Sequence, residues 1–149
     1  KKAKVISGLT KDVSEYLDES LKLNFITKER KYKIAYHSAC SMQHGQKVHD
    51  QPMSLLSKTN NEIMEIPEGH VCCGSAGTYN ILQTEIAKEL LKKKVNNIES
   101  LKPDFISTGN IGCITQISNG TQTPILHTIE ILDWYTGGPK PKILQKNQL

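Results

Sequence analysis

The hydrophobic positions of this chain switch repeatedly between helically spaced stretches and short apolar runs, and the switches delimit its elements. In "TKDVSEYLDESLKL" (10–23), Val13, Tyr16, Leu17 and Leu21 recur at helical intervals, which predicts an amphipathic helix. Thr10 is the expected cap, and Asp12 and Glu15 suit the positive end of its dipole. "YKIAYHSA" reads as a strand from Tyr32 to His37. "PMSLLSKTNN" (52–61) predicts a short helix with Pro52 in its first turn, and "NEIMEIP" (61–67) a strand ended by Pro67. The longest helix is expected within 78–102. There Ile86, Ala87, Leu90, Leu91, Lys94 (by its stem), Val95 and Ile98 mark one face, and Pro103 stops it. "PDFISTG" then predicts a strand, "CITQIS" a short helix, "TPILHT" a strand, and "TIEILDWYTGG" a helix stopped by Gly137 and Gly138. The tail "PKPKILQKNQL" is expected to be loose and basic.

One leading helix is therefore followed by four βα units. That alternation predicts an α/β fold with a parallel sheet and right-handed crossovers. The expected organisation is a leading helix and linker over 1–30, a cysteine-bearing unit over 31–136, and a tail over 137–149. A length of 149 residues, 37% of them hydrophobic and 23% charged, suits one soluble domain with its own core. No apolar run approaches the ~20 residues that span a bilayer. The opening residues lack the sustained apolar stretch of a secretory signal. They also lack an initiator methionine, so a processed chain or an excised fragment is expected. A net charge of +4 with 5% aromatic residues does not make a nucleic-acid surface, and Lys92, Lys93 and Lys94 read as a solvated helix face.

The four cysteines carry the chemistry. Cys72 and Cys73 are adjacent, and neighbouring Cα atoms lie closer than ordinary disulfide geometry prefers. A chain without a signal and with an adequate core points instead to metal, cluster or redox use. Cys40 follows the first predicted strand, Cys72 and Cys73 the second, and Cys113 the third. In an open parallel sheet those loops share one edge, so the four sulfurs are predicted to converge there. Four thiolates can hold a [4Fe–4S] cluster, or zinc; a dithiol that exchanges with disulfides, or buried small side chains, are the other readings. Gly74, Gly77, Gly109 and Gly112 allow close backbone approach, and a helix starting near Thr78 would point its positive end at the site.

Gly74, Asn110, His44 and His70 are expected beside the ligands as donors or proton carriers. His37 is expected to be a satisfied neighbour, His127 to point at the same edge without ligating, and His49 to be exposed. The Gly-Ser-Ala-Gly turn lacks the residues of a P-loop or a dinucleotide fingerprint.

"CSMQHGQK", "CCGSAGTYNILQTEIA" and "GNIGCITQI", in that order, resemble the cysteine-rich CCG domain of heterodisulfide reductase and related iron–sulfur subunits. The wording over roughly residues 33 to 135 is most similar to the C-terminal half of glycolate oxidase iron–sulfur subunits. Cys40 matches the family's lone cysteine, Cys72, Cys73 and Gly74 its middle motif, and Cys113 the end of its closing Cys-x-x-Cys. Asn110 stands at the first position of that closing pair. The double noncubane cluster of some relatives uses five cysteines; the four here suffice for one [4Fe–4S] centre.

The resemblance implies an electron-transfer domain of a cytoplasmic complex at the inner face of the membrane. FAD on a partner flavin subunit would oxidise glycolate to glyoxylate, and this chain would hold no substrate site. A ferredoxin-type half of the same subunit would lie upstream. A zinc-stabilised docking domain and a disulfide-reducing site of heterodisulfide reductase type are the alternatives. In a cluster site, Asn110 is expected to donate to a sulfide or bound group.

Overall fold

The computed structural model describes residues 1–20 and 22–145; Leu21, the last position of the expected first helical face, and 146–149 lie outside the described residues. Four strands, β1 (Lys33–His37), β2 (Glu62–Glu65), β3 (Phe105–Thr108) and β4 (Ile125–His127), form one sheet in the order β2-β1-β3-β4. All three pairings are parallel. The βα alternation predicted from the hydrophobic pattern is thus the observed architecture.

Strand alternation divides the core. Ile34 and Tyr36 of β1 and Phe105 of β3 face one layer, where α3 (Asp50–Ser57) and α7 (Thr128–Tyr135) supply Leu55, Leu56, Ile131, Leu132 and Trp134. Ala35 and Ile106 face the other, against α5 (Thr84–Glu99) and α6 (Ile111–Ser118), which supply Val95, Ile98 and Ile117. The chain steps from β1 to β2 in one direction and from β2 past β1 to β3 in the other. Crossovers of one hand then require helices on opposite faces, which is where α3 and α5 lie.

Several boundaries depart from the hydrophobic pattern. Two helices precede the sheet, α1 (Lys2–Leu9) and α2 (Val13–Ser20), and every residue of α1 is exposed. Thr10 does not cap α2; its hydroxyl donates to Ile6 O at the end of α1. Asp12 caps α2, accepting from Ser14 N–H at 2.9 Å while its own N–H donates to Glu15 at 2.8 Å. The reciprocal Asp-x-x-Glu pair wins because Thr10 has no acidic residue three positions on. A turn of π-helix (Ser41–Gln46), foreshadowed by no periodicity, follows Cys40.

The long helix is broken in two. α4 (Tyr79–Leu82) ends at Gln83, whose φ of −127° and ψ of 55° leave the helical region. The buried stripe Ala87, Val95, Ile98, extended backwards, lands on the polar Asn80, Gln83 and Thr84, so no packed face continues before α5. Ile86 accordingly points to solvent rather than into the core. Lys94 departs the other way: the whole side chain, not only its stem, is buried, leaving Lys92 and Lys93 as the solvated pair. Part of the expected loose tail is ordered as α8 (Lys142–Gln145), which seats Leu144 in the first core layer. Among the described residues no helix is long and apolar enough to cross a membrane.

Candidate functional site

The strand order reverses between β1 and β3, and the carboxyl ends of those strands open a crevice there. Each cysteine loop leaves that edge. Cys40 lies just past β1, Cys72 and Cys73 lie in the β2–α4 connection, and Cys113 lies in the first turn of α6 after β3. All four line one pocket of about 360 Å³, together with Ser75, Gly77, Asn110 and Gly112. The convergence argued from the spacing of strands and cysteines is what the fold produces.

The four sulfurs divide by depth. Cys73 and Cys113 are buried; Cys40 and Cys72 are half-buried at the rim, and all four are free thiols. The Cys113 thiol bonds to Cys73 and lowers the Cys73 pKa to about 4 against the opposing effect of burial, with His37 and the Ser75 backbone adding to the thiolate's favour. Cys113 is correspondingly pushed up, by that bond and by burial. At the rim, burial and then the neighbouring Cys72 raise Cys40 to about 11. The Gly74 N–H donates to Cys72 Sγ at 3.3 Å.

Two glycines explain the tight vicinal loop. Gly74 has φ +92°, and a Cβ there would stand 2.5 Å from the Ala87 carbonyl oxygen of α5. The Cys-Cys segment is thus pressed onto α5 by a residue with no side chain. On the other wall, a Cβ on Gly112 would lie 3.0 Å from Ser75 Oγ, which keeps α6 close to the same loop.

Asn110 lines the pocket, but its carbonyl oxygen is engaged as the cap of α6, accepting from Cys113 N–H at 3.2 Å. The positive end of α6 reaches the cysteines, because Cys113 lies in its first turn; α4, which starts after Thr78, is a single turn that follows the pocket-lining Gly77. His44 is exposed on the π-helical turn and does not line the pocket. His70 is exposed too, in a neighbouring cleft with His49 and Tyr36. His127 caps α7, its Nδ1 accepting from Ile129 N–H at 3.2 Å.

The histidine at the site is His37, which the sequence reading set aside as satisfied. It ends β1, on the Ala35 side of the strand, at 1% exposure. Among the described residues neither ring nitrogen has a partner in hydrogen-bond geometry, although the ring stands near enough to Cys73 to favour its thiolate. Leaving a buried polar group unpaired costs about 1–3 kcal/mol. Strand alternation was the available signal, because Ala35, His37 and Ala39 share one parity. Lys94 is the other residue missed. From α5 its Nζ donates to the Glu68 and Gly69 carbonyls at 3.2 and 3.5 Å, behind the cysteine loop. Burial lowers its pKa, while the sulfurs of Cys73, Cys40 and Cys72 act to hold its charge.

Fold and site together define a class: a doubly wound α/β domain whose cysteines gather at the carboxyl edge of its sheet. The chain belongs to the cysteine-rich CCG domain family, whose profile matches residues 34–118. It is 37% identical over 133 residues to the glycolate oxidase iron–sulfur subunit of Escherichia coli strain K12, covering 89% of this chain and 32% of that protein. It is also similar to lactate utilization protein A of Oceanobacillus iheyensis, at 27% identity over 85% of this chain and 54% of that one. Against the protein of the same name from Geobacillus kaustophilus the identity is 26%, over 88% and 57%. The chain therefore spans about a third to somewhat over half the length of these relatives.

Proposed function

We propose that this chain is an iron–sulfur electron-transfer domain of a glycolate oxidase-like complex, with Cys40, Cys72, Cys73 and Cys113 as the cluster ligands. The observation that carries the reading is the convergence of four free cysteines, from three separate βα loops, on one pocket at the switch point. The donor set fits such a group: thiolates are its preferred ligands, and the Gly74 N–H of the glycine-rich loop donates to Cys72 Sγ. An iron–sulfur cluster supplies one-electron transfer, and four thiolates can hold a [4Fe–4S] centre, the type read here.

The rest is work for this chain's own residues. Cys73 and Cys113, which are buried, would hold the group at the floor of the pocket, and the half-buried Cys40 and Cys72 would hold it at the rim. The Gly74 N–H and the buried Lys94 ammonium offset the negative charge that gathers on the sulfurs. Ile111, between the pocket-lining Asn110 and Gly112, is more than 70% exposed, as are Ile81 and Leu82 of α4, apolar surface suited to a covering partner. We read that partner as the flavin subunit, carrying FAD and oxidising glycolate to glyoxylate, or as the ferredoxin-type half of the same subunit upstream. The complex would sit in the cytoplasm at the inner face of the membrane, with residues 31–136 as the cluster-bearing unit. Lactate or another 2-hydroxy acid is an alternative substrate for the partner.

The test is anaerobic isolation followed by iron, zinc and acid-labile sulfide analysis with EPR, on the chain and on Cys73→Ser. About four irons and four sulfides per chain, lost in the variant, are expected. Zinc without sulfide would replace the reading with a zinc-stabilised docking domain, which the closeness of His37 to Cys73 and Cys113 favours as the second possibility.

A further inference from the structure

We propose that His37 is a metal ligand, and that with Cys73 and Cys113 it forms a three-donor site at the floor of the pocket. One donor atom from each residue lies within 4.8 Å of the other two, and all three residues are buried. Around a tetrahedral zinc-like ion, thiolate and imidazole donors stand about 3.5–3.8 Å apart. Side-chain adjustments of about 1 Å would therefore close this set on an ion.

The unpartnered imidazole is the second observation. A neutral ring has one donor and one acceptor nitrogen, and here both are buried without a partner. In the sheet register His37 pairs with Thr108 of β3, whose hydroxyl oxygen is also buried and unpartnered. Two polar side chains thus stand unsatisfied at the carboxyl ends of the two central strands, beside two sulfurs. A bound ion takes the lone pair of one ring nitrogen and removes the largest of these deficits. The mixed nitrogen–sulfur set suits a borderline ion such as zinc, iron(II) or cobalt(II).

The consequence is a pocket with an inner nitrogen–sulfur half and an outer thiolate half of Cys40 and Cys72. In a cluster-loaded chain this rests on the iron–sulfur reading, and a histidine on iron would raise the potential above that of all-cysteine ligation.

Cobalt(II) tests the ligation without needing a cluster. It is titrated anaerobically into the reduced, metal-free chain, unlabelled or with ¹⁵N-histidine, and read by its thiolate charge-transfer bands and by nitrogen hyperfine coupling. The expected result is one cobalt per chain, with a coupling that changes on labelling and persists in Cys40→Ser, His44→Gln and His70→Gln. In His37→Asn the coupling disappears and binding weakens at least tenfold. If His37→Asn fails to fold by circular dichroism, the labelled chain and the other three variants still decide. Cobalt bound without histidine coupling, or no cobalt bound, overturns the proposal. Iron and sulfide analysis of the isolated protein separates the two ideas. Cobalt on His37 in a chain that never holds a cluster sinks only the cluster reading; a cluster-bearing chain whose cobalt form shows no nitrogen coupling sinks only this one.

Discussion

Replacing Gly74 by alanine tests whether the vicinal cysteines are held by backbone packing. Gly74 has φ +92°, and its added Cβ would meet Ala87 O at 2.5 Å, with Ala87 C and Cα each at 3.2 Å. A left-handed backbone at a non-glycine residue costs about 1–2 kcal/mol. Crowding rigid backbone adds about 1–3 kcal/mol. The sum, roughly 2–5 kcal/mol, is a large part of the 5–15 kcal/mol that typically holds a domain together. Gly77→Ala is the control. Its φ of +60° carries the same backbone cost, but nothing lies within 4 Å of a Cβ there. Urea unfolding of the reduced, metal-free chain avoids stabilisation by a bound metal. Gly77→Ala is expected to lose about 1–2 kcal/mol and Gly74→Ala distinctly more, with Tm lower by roughly 5–20 °C. Equal losses for the two variants would refute the claim that the Cys-Cys loop is pressed onto α5.

Asn110→Ala should cost about 1 kcal/mol through loss of the α6 cap, and Asn110→Asp should recover most of it, as read by urea midpoints. Burial holds the folded pKa of Lys94 below its ordinary 10.5, so between the two values the unfolded chain binds more protons. Stability due to this residue therefore rises as pH climbs through the folded pKa toward 10.5, and Lys94→Met should flatten that rise when unfolding is followed across the window. Leu144→Ala should lose about 2 kcal/mol, because the side chain is packed in the core at 8% exposure; a loss within error would mean that α8 adds nothing to the core.

The parts legible in the sequence were those governed by local rules. Short apolar runs bounded by turn residues marked all four strands, and period-3.6 spacing marked the α-helices between them, though not the π-helical turn after Cys40. The position of each cysteine after a strand was enough to place all four on one edge. Misjudged boundaries, such as Gln83 within the expected long helix and Asp12 in place of Thr10, turn on where a packed face ends and which cap finds a reciprocal partner. Asn110 was legible as a departure from the family motif, but its use as a helix cap needed the path of α6. Lys94 illustrates the limit on burial: it continues a lysine run on a helix, and only the loop carrying Glu68 and Gly69 turns it inward.

By itself, then, the sequence determined the α/β class, the parallel sheet and the gathering of Cys40, Cys72, Cys73 and Cys113, because periodicity and chain order suffice for these. Only the tertiary structure decided that Cys73 and Cys113 are deep while Cys40 and Cys72 are at the rim. It alone showed that His44 and His70 stand away from the pocket and that His37 stands unpartnered beside the deep sulfurs. The physical reason is that depth and partnership depend on how β1, β3, α5 and α6 close over one another, and those are contacts between residues far apart in the chain.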